Sequence, residues 1–222
     1  MVMTGIPPDQ APLREAICRV GRSLFERGLV HSTAGNISVR LTDGYLITPT
    51  DACLGFLQAD HLAWIDDQGR QLGGQRASKT LALHQRIYAA APGARCVLHT
   101  HSTHLVALTL QGVWNAQAIL PPITPYQVMK VGRVPLLPYH RPGDPKVAEQ
   151  VAMVIAQSPT PLRAVMLDRL GPMVWADSPE HAMAVLEELE ETARLWLLGQ
   201  NRPAPLTQKQ LDELKSSFNA PW

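Results

Sequence analysis

The sequence predicts an α/β fold of three layers, with helices on both faces of a mainly antiparallel central sheet. Stretches with helical spacing of apolar residues alternate along the chain with short strand-like runs. Most of those runs come in pairs joined by tight turns, which is the antiparallel arrangement. Of the 222 residues 45% are hydrophobic, enough to fill one sizeable core. No internal repeat and no low-complexity tract divides the chain. The expectation is a single domain over residues 1–222, with residues 203–222 as a helical C-terminal tail.

From Pro12 to Arg27, Leu13, Ile17, Val20 and Leu24 fall at helical spacing, and Gly28 is a natural stop. "ISVRL" and "YLIT" then read as strands joined by a turn at Asp43-Gly44, and "HLAWIDDQGRQLGG" repeats the strand–turn pattern. Ser78 can cap a helix running to about Ala91, which Pro92-Gly93 ends. "ARCVLHT" is a short buried strand, and Ser102 or Thr103 opens a helix through Leu110. The proline-rich segment after it should be mostly loop, with a strand near Val134–Leu137 and a helix from Asp144 to Gln157. "RAVMLD" and "PMVWA" form a final hairpin, Pro179 opens a long helix to Leu198, and "LTQKQLDELKSSF" is a short amphipathic helix.

Composition narrows the function. A formal net charge of +1 gives no basic stripe for nucleic acid. No apolar run approaches bilayer length, and "MVMTGIPPDQAPLREA" lacks the charged-then-apolar layout of a secretory signal. Cys18, Cys53 and Cys96 are odd in number and far apart, which argues for a reducing compartment over a disulfide framework. A cytoplasmic location is expected.

The stretch "CVLHTHSTH" puts His99, His101 and His104 into six residues. Residues two apart on a strand point to one side, so His99 and His101 can aim at one point. His104 has the opposite parity and can turn toward the pair or away. Divalent ions such as zinc favour neutral imidazoles, and catalytic zinc sites usually hold three protein ligands and an open position. The same spacing also suits one packed histidine and one helix cap. Three other segments tip the balance. In "STAGNIS", Gly35 and Asn36 stand between a helix and a strand, where backbone N–H groups can form an anion-binding concavity. "TPT", Thr48 to Thr50, ends a strand with hydroxyls, and Ser78 and Lys79 stand at a helix N-terminus that favours a phosphate.

With "STAGNISVR", "YLITPT", "SKTLALHQRIYAAAPGARCVLHTHSTH" and "LGPMVWADSPEHAMAVLEELEETARLWL", the chain resembles the class II aldolase/adducin family over nearly its whole length. "TPTDACLGFL" and "TPYQVMKVGRVPLLPYHRPGDP" look like its 3-oxo-tetronate 4-phosphate decarboxylases rather than its fuculose phosphate aldolases. The resemblance implies an α/β/α fold, a homotetramer with sites near subunit interfaces, a phosphorylated sugar-acid substrate and a divalent metal, usually zinc. By position, His99 and His101 would be metal ligands. Gly35, Asn36, Thr50, Ser78 and Lys79 match the phosphate-site positions, with Lys79 also placed to neutralise a substrate carboxylate or to feed a proton to the carbanion. Tyr126 is a pocket residue by resemblance.

Two positions depart from the family pattern. The third histidine of the family, in a segment resembling "L-x-N-H-G-P", is Leu170 here, and its acidic residue is Thr80. Leucine cannot ligate. His104, His140, Asp168 or a neighbouring subunit could compensate. A lyase is one expectation. A catalytically silent or repurposed member that binds a ligand or partner is the other.

Overall fold

The computed structural model describes residue 7 and residues 10–222. Half of the stretch compared with a secretory leader therefore lies outside the described residues.

Helix α1, Ala11–Glu26, buries Ile17, Val20 and Leu24 along one stripe. The expected hairpins follow: β1 Asn36–Arg40 with β2 Gly44–Ile47, then β3 Ala63–Asp66 with β4 Gln71–Gly73. Gly44 has φ +146°, and a Cβ there would stand 2.0 Å from the carbonyl oxygen of Ile65, so the turn residue is fixed by the neighbouring strand as well as by the turn. Helix α2, Leu81–Ala90, precedes β5, Cys96–His99; α3, Thr103–Gln111, follows it and stops at Gly112, φ +108°.

The proline-rich segment contains a π-helical turn at Gln127–Val131. The strand expected near Val134–Leu137 shrinks to β6, Leu136–Leu137. Pro135 and Pro138 on either side have no N–H to give a longer ladder. The helix expected from Asp144 begins at Lys146 and runs to Gln157 as α4, because the Asp144 carboxylate accepts from the Lys146 N–H and stays outside it. The final hairpin is β7 Ala164–Leu167 and β8 Gly171–Ala176; α5 runs Pro179–Leu198 and α6 Gln208–Phe218, the latter with a Thr207–Gln210 capping box.

The eight strands form one sheet in the order β4-β3-β2-β1-β5-β8-β7-β6. Every pairing is antiparallel except β6 with β7. One face carries Ile37, Val39, Cys96, Leu98 and Val174 against α1, α3 and α5. The other carries Val97, Val165, Met173 and Trp175 against α2 and α4. Strand alternation thus splits β5 between two cores. Leu211, Ala220 and Trp222 close a smaller cluster on Val128, with the Arg133 guanidinium 5.4 Å from the Trp222 ring centre.

Candidate active site

β1 begins, β2 ends and β5 ends at one end of the sheet's central strands, and that rim gathers the candidate residues. Asn36 is the cross-strand partner of His99, and His99 is in turn the partner of Met173 on β8. His99 therefore lies on the α2/α4 side, 5% exposed. Its Nδ1 stands 2.9 Å from the carbonyl oxygen of Pro172. A carbonyl only accepts, so Nδ1 carries the proton and Nε2 keeps a bare lone pair. Burial, with His101 adding to it, pushes this imidazole down to about 4, so it is neutral at ordinary pH. His101 follows beyond the strand end, half-buried, its ring centre 5.0 Å from that of His99 at 66°. Burial lowers its pKa too, with His31 next in effect.

The His31 ring lies 6.4 Å from that of His101, edge-on at 70°. His31 precedes Gly35 in the same loop, and nothing in sequence spacing singled it out. Its placement comes from a tertiary tether: the Ser102 hydroxyl donates to the Leu29 carbonyl at 2.9 Å, holding the end of the α1 loop against the start of α3.

Gly35 has φ +85°, and a Cβ there would stand 2.7 Å from the His99 carbonyl oxygen. The next residue, Asn36, is 7% exposed, and its Oδ1 is buried without a hydrogen-bond partner. Thr48 N–H donates to the Ile37 carbonyl, and its hydroxyl accepts from the Ile37 N–H, which locks "TPT" to the start of β1. An isolated bridge between Pro49 and Ala77, with Thr50 N–H on Arg76 and Ser78 N–H on Thr48, joins the "TPT" segment to the segment before α2 and sets Ser78 across from Thr48 and Thr50 across from Arg76. Ser78 does not cap α2 as its sequence position suggested. Its hydroxyl meets that of Thr80 at 2.8 Å, and the helix starts after Thr80. Lys79 is exposed, with no ion pair or hydrogen bond to its ammonium among the described residues.

Behind this rim runs a buried polar chain. Tyr88 O–H donates to the Ser38 carbonyl, so the 2.7 Å contact between Ser38 Oγ and Tyr88 Oη places the serine proton on the tyrosine. Ser38 Oγ then accepts from His84 Nδ1 at 2.7 Å, leaving His84 Nε2 bare, buried and unpartnered. Burial, then proximity to His99, pushes His84 down to about 3.

The other candidates are engaged elsewhere. His104 turns away: its backbone N–H and Nδ1 both reach the buried Glu190 carboxylate, at 2.9 and 2.8 Å. His140 contacts Gln150 and Asp144, Asp168 lies beside Arg169, and Tyr126 is 60% exposed. Leu170 packs on the apolar cluster that includes Leu167 and Met173. Among the described residues no three His, Cys, Asp or Glu side chains stand ready to hold a metal ion. The chemistry of His99 and His101 nevertheless fits a nitrogen-seeking divalent ion: both imidazoles are held toward the neutral form, and His99 is oriented through a carbonyl on its far nitrogen. The pair is one donor short of a three-ligand site. A groove of about 640 Å³ lined by Pro92, Gly93, Pro161 and Asp177 lies at the opposite end of β5, away from these groups.

Residues 15–197 match the family described as class II aldolase and adducin N-terminal domain. A 3-oxo-tetronate 4-phosphate decarboxylase of Cupriavidus necator is 53% identical over 218 residues, which cover 96% of this chain and 99% of that protein. The protein of the same name from Escherichia coli K12 is 40% identical, covering 96% and 100%. YgbL from Klebsiella pneumoniae, a solved structure, superposes with a TM-score of 0.85 at 39% identity, covering 95% of this chain and all of that one.

Proposed function

The chain belongs to the class II aldolase and adducin family, and from that premise we propose that it is a carbon–carbon lyase that decarboxylates a phosphorylated sugar acid, with 3-oxo-tetronate 4-phosphate as the expected substrate. The observation that carries this reading is the Asn36–His99 register, which sets the Gly35–Asn36 loop directly across from the histidine pair.

In this reading the backbone of Gly35 and Asn36, the hydroxyls of Thr50 and Ser78, and Lys79 hold the phosphate. Binding there orients the far end of the substrate toward His99 and His101. Those two imidazoles would hold a divalent metal, zinc being the expected ion. When bound, the metal supplies positive charge against the negative charge that develops as CO2 leaves. The bond between the carboxyl carbon and its neighbour breaks, the electron pair stays on that neighbour, and a proton then adds there. Lys79 either offsets the departing carboxylate or delivers that proton. No C–H bond has to be broken first. A threonine at position 80, where the family has an acid, therefore costs a decarboxylase less than an aldolase. A homotetramer in the cytoplasm is the proposed setting; no helix among the described residues is long and apolar enough to cross a membrane.

The test is CO2 release from 3-oxo-tetronate 4-phosphate by stripped protein and by protein reloaded with zinc or manganese. Turnover that needs Lys79 and the phosphate supports the reading. No release with any metal would favour the second one, a catalytically silent ligand-binding member, to which Leu170 and Thr80 lend support.

A further inference from the structure

His99 and His101 leave a metal one nitrogen short, and the position that supplies the third in the family is an apolar packing residue, Leu170. His104, His140 and Asp168 point to other partners. His31 remains. We propose that His31 is the third nitrogen donor, completing a site of His31, His99 and His101 at the open end of β5.

For a tetrahedral ion with metal–nitrogen distances of about 2.0–2.1 Å, the ring centres of two ligating imidazoles stand about 5 to 5.5 Å apart. His99 and His101 already meet that at 5.0 Å. His101 and His31, at 6.4 Å, are roughly 1 Å wide of it. Closing the gap asks little of the structure. His31 is exposed, and neither its ring nor that of His101 makes a hydrogen bond among the described residues, so both can turn without losing a partner.

The backbone, by contrast, is held. The Ser102 hydroxyl fixes the Leu29 carbonyl two residues before His31. Gly171, φ +137°, presses against the Thr100 carbonyl and the His101 Cα, where an added Cβ would stand 2.0 and 3.2 Å away. The loop carrying His31 and the turn carrying His101 are thus fixed while their rings are free, the arrangement a site needs to close on an ion. The replacement is local: the chain loses a donor from the β7–β8 turn and gains one from the loop that opens β1.

This inference rests on reading His99 and His101 as donors, and the experiment separates the two. Cobalt(II) is titrated into metal-free protein, His31→Ala, His31→Cys and His99→Ala/His101→Ala, with thermal unfolding run on each to confirm folding. His31→Ala should bind cobalt at least tenfold more weakly. His31→Cys should retain binding and add a thiolate-to-cobalt charge-transfer band in the near ultraviolet, which a packing role for His31 would not produce. If His31→Ala binds as tightly as the unmodified protein while the double variant has lost the ion, His31 is no ligand and the pair stands. If the unmodified protein binds no cobalt, or the double variant binds it unchanged, the pair falls and His31 with it.

Discussion

Gly35 stands so close to His99 that a Cβ at position 35 would lie 2.7 Å from the His99 carbonyl oxygen. With φ at +85° as well, alanine there meets both a left-handed backbone and the strand that carries the histidines. Gly35→Ala is expected to lower stability by about 2 kcal/mol. It should also loosen metal binding, because relief of the contact displaces β5 at His99. Urea unfolding and a metal titration on the same preparation check both effects. Lost stability with unchanged metal affinity would show that the loop and the histidine rim yield independently.

Lys79 is the exposed cation of the proposed phosphate cradle. Lys79→Met should raise KM for the phosphorylated substrate about tenfold or more, the scale of losing one charged contact to phosphate. A fall in kcat at saturating substrate would add the carboxylate or proton role. Full turnover at unchanged KM would remove Lys79 from the reaction.

The sequence was informative where local rules decide the outcome. The hairpin at Asp43-Gly44 and the β7–β8 hairpin follow from turn chemistry and apolar runs, and the H-x-H spacing does bring His99 and His101 together. It was silent where long-range contacts decide. His31 meets His101 only because Ser102 holds Leu29, 73 residues away. Ser78 has the right residue type for a helix cap, yet its N–H is drawn to Thr48 and its hydroxyl to Thr80. The truncation of β6 was foreseeable from Pro135 and Pro138, whose missing N–H groups outweigh the β-propensity of Val134 and Leu136. His84 is a core position on α2 by periodicity. Its tautomer is decided by Ser38, 46 residues earlier.

Glu190, 4% exposed, accepts from the His104 and Leu105 N–H groups and from His104 Nδ1, so it serves as the N-terminal anchor of α3. Glu190→Ala leaves those donors buried and should cost about 2–3 kcal/mol in unfolding free energy. His104→Ala should cost less and leave metal content unchanged. Metal lost from folded His104→Ala protein would contradict the assignment of this ring to α3.

His84 gives a pH signature. In the folded, metal-free protein it stays neutral down to about pH 3, whereas in the unfolded chain it takes a proton near its ordinary value of 6.5. Between those values the unfolded state binds more protons, so acid favours unfolding there. The stability is present in full above about pH 6.5 and falls as pH drops toward 3, with a slope of up to about 1.4 kcal/mol per pH unit for this one group. His84→Gln retains an N–H donor for Ser38 and removes the titration. Urea unfolding between pH 7 and 4.5 should therefore show a shallower pH dependence for the variant. Identical slopes would mean that His84 is not the group responsible.

Leu170 offers the reverse experiment. It follows the left-handed Arg169 in the β7–β8 turn and precedes Gly171, whose backbone abuts Thr100 and His101. Leu170→His should therefore bring a third imidazole to the pair from the β7–β8 turn, raising zinc affinity about tenfold or more in a chelator competition. Loss of packing against the apolar cluster on that face of the sheet should cost about 1 kcal/mol. The combination with His31→Ala is the more telling protein. If both rings reach the same ion, Leu170→His restores to His31→Ala the affinity it lost, although the two donors sit on different elements. If affinity stays low in the double variant while Leu170→His alone binds more tightly, the new imidazole adds to His31 at the ion and does not replace it.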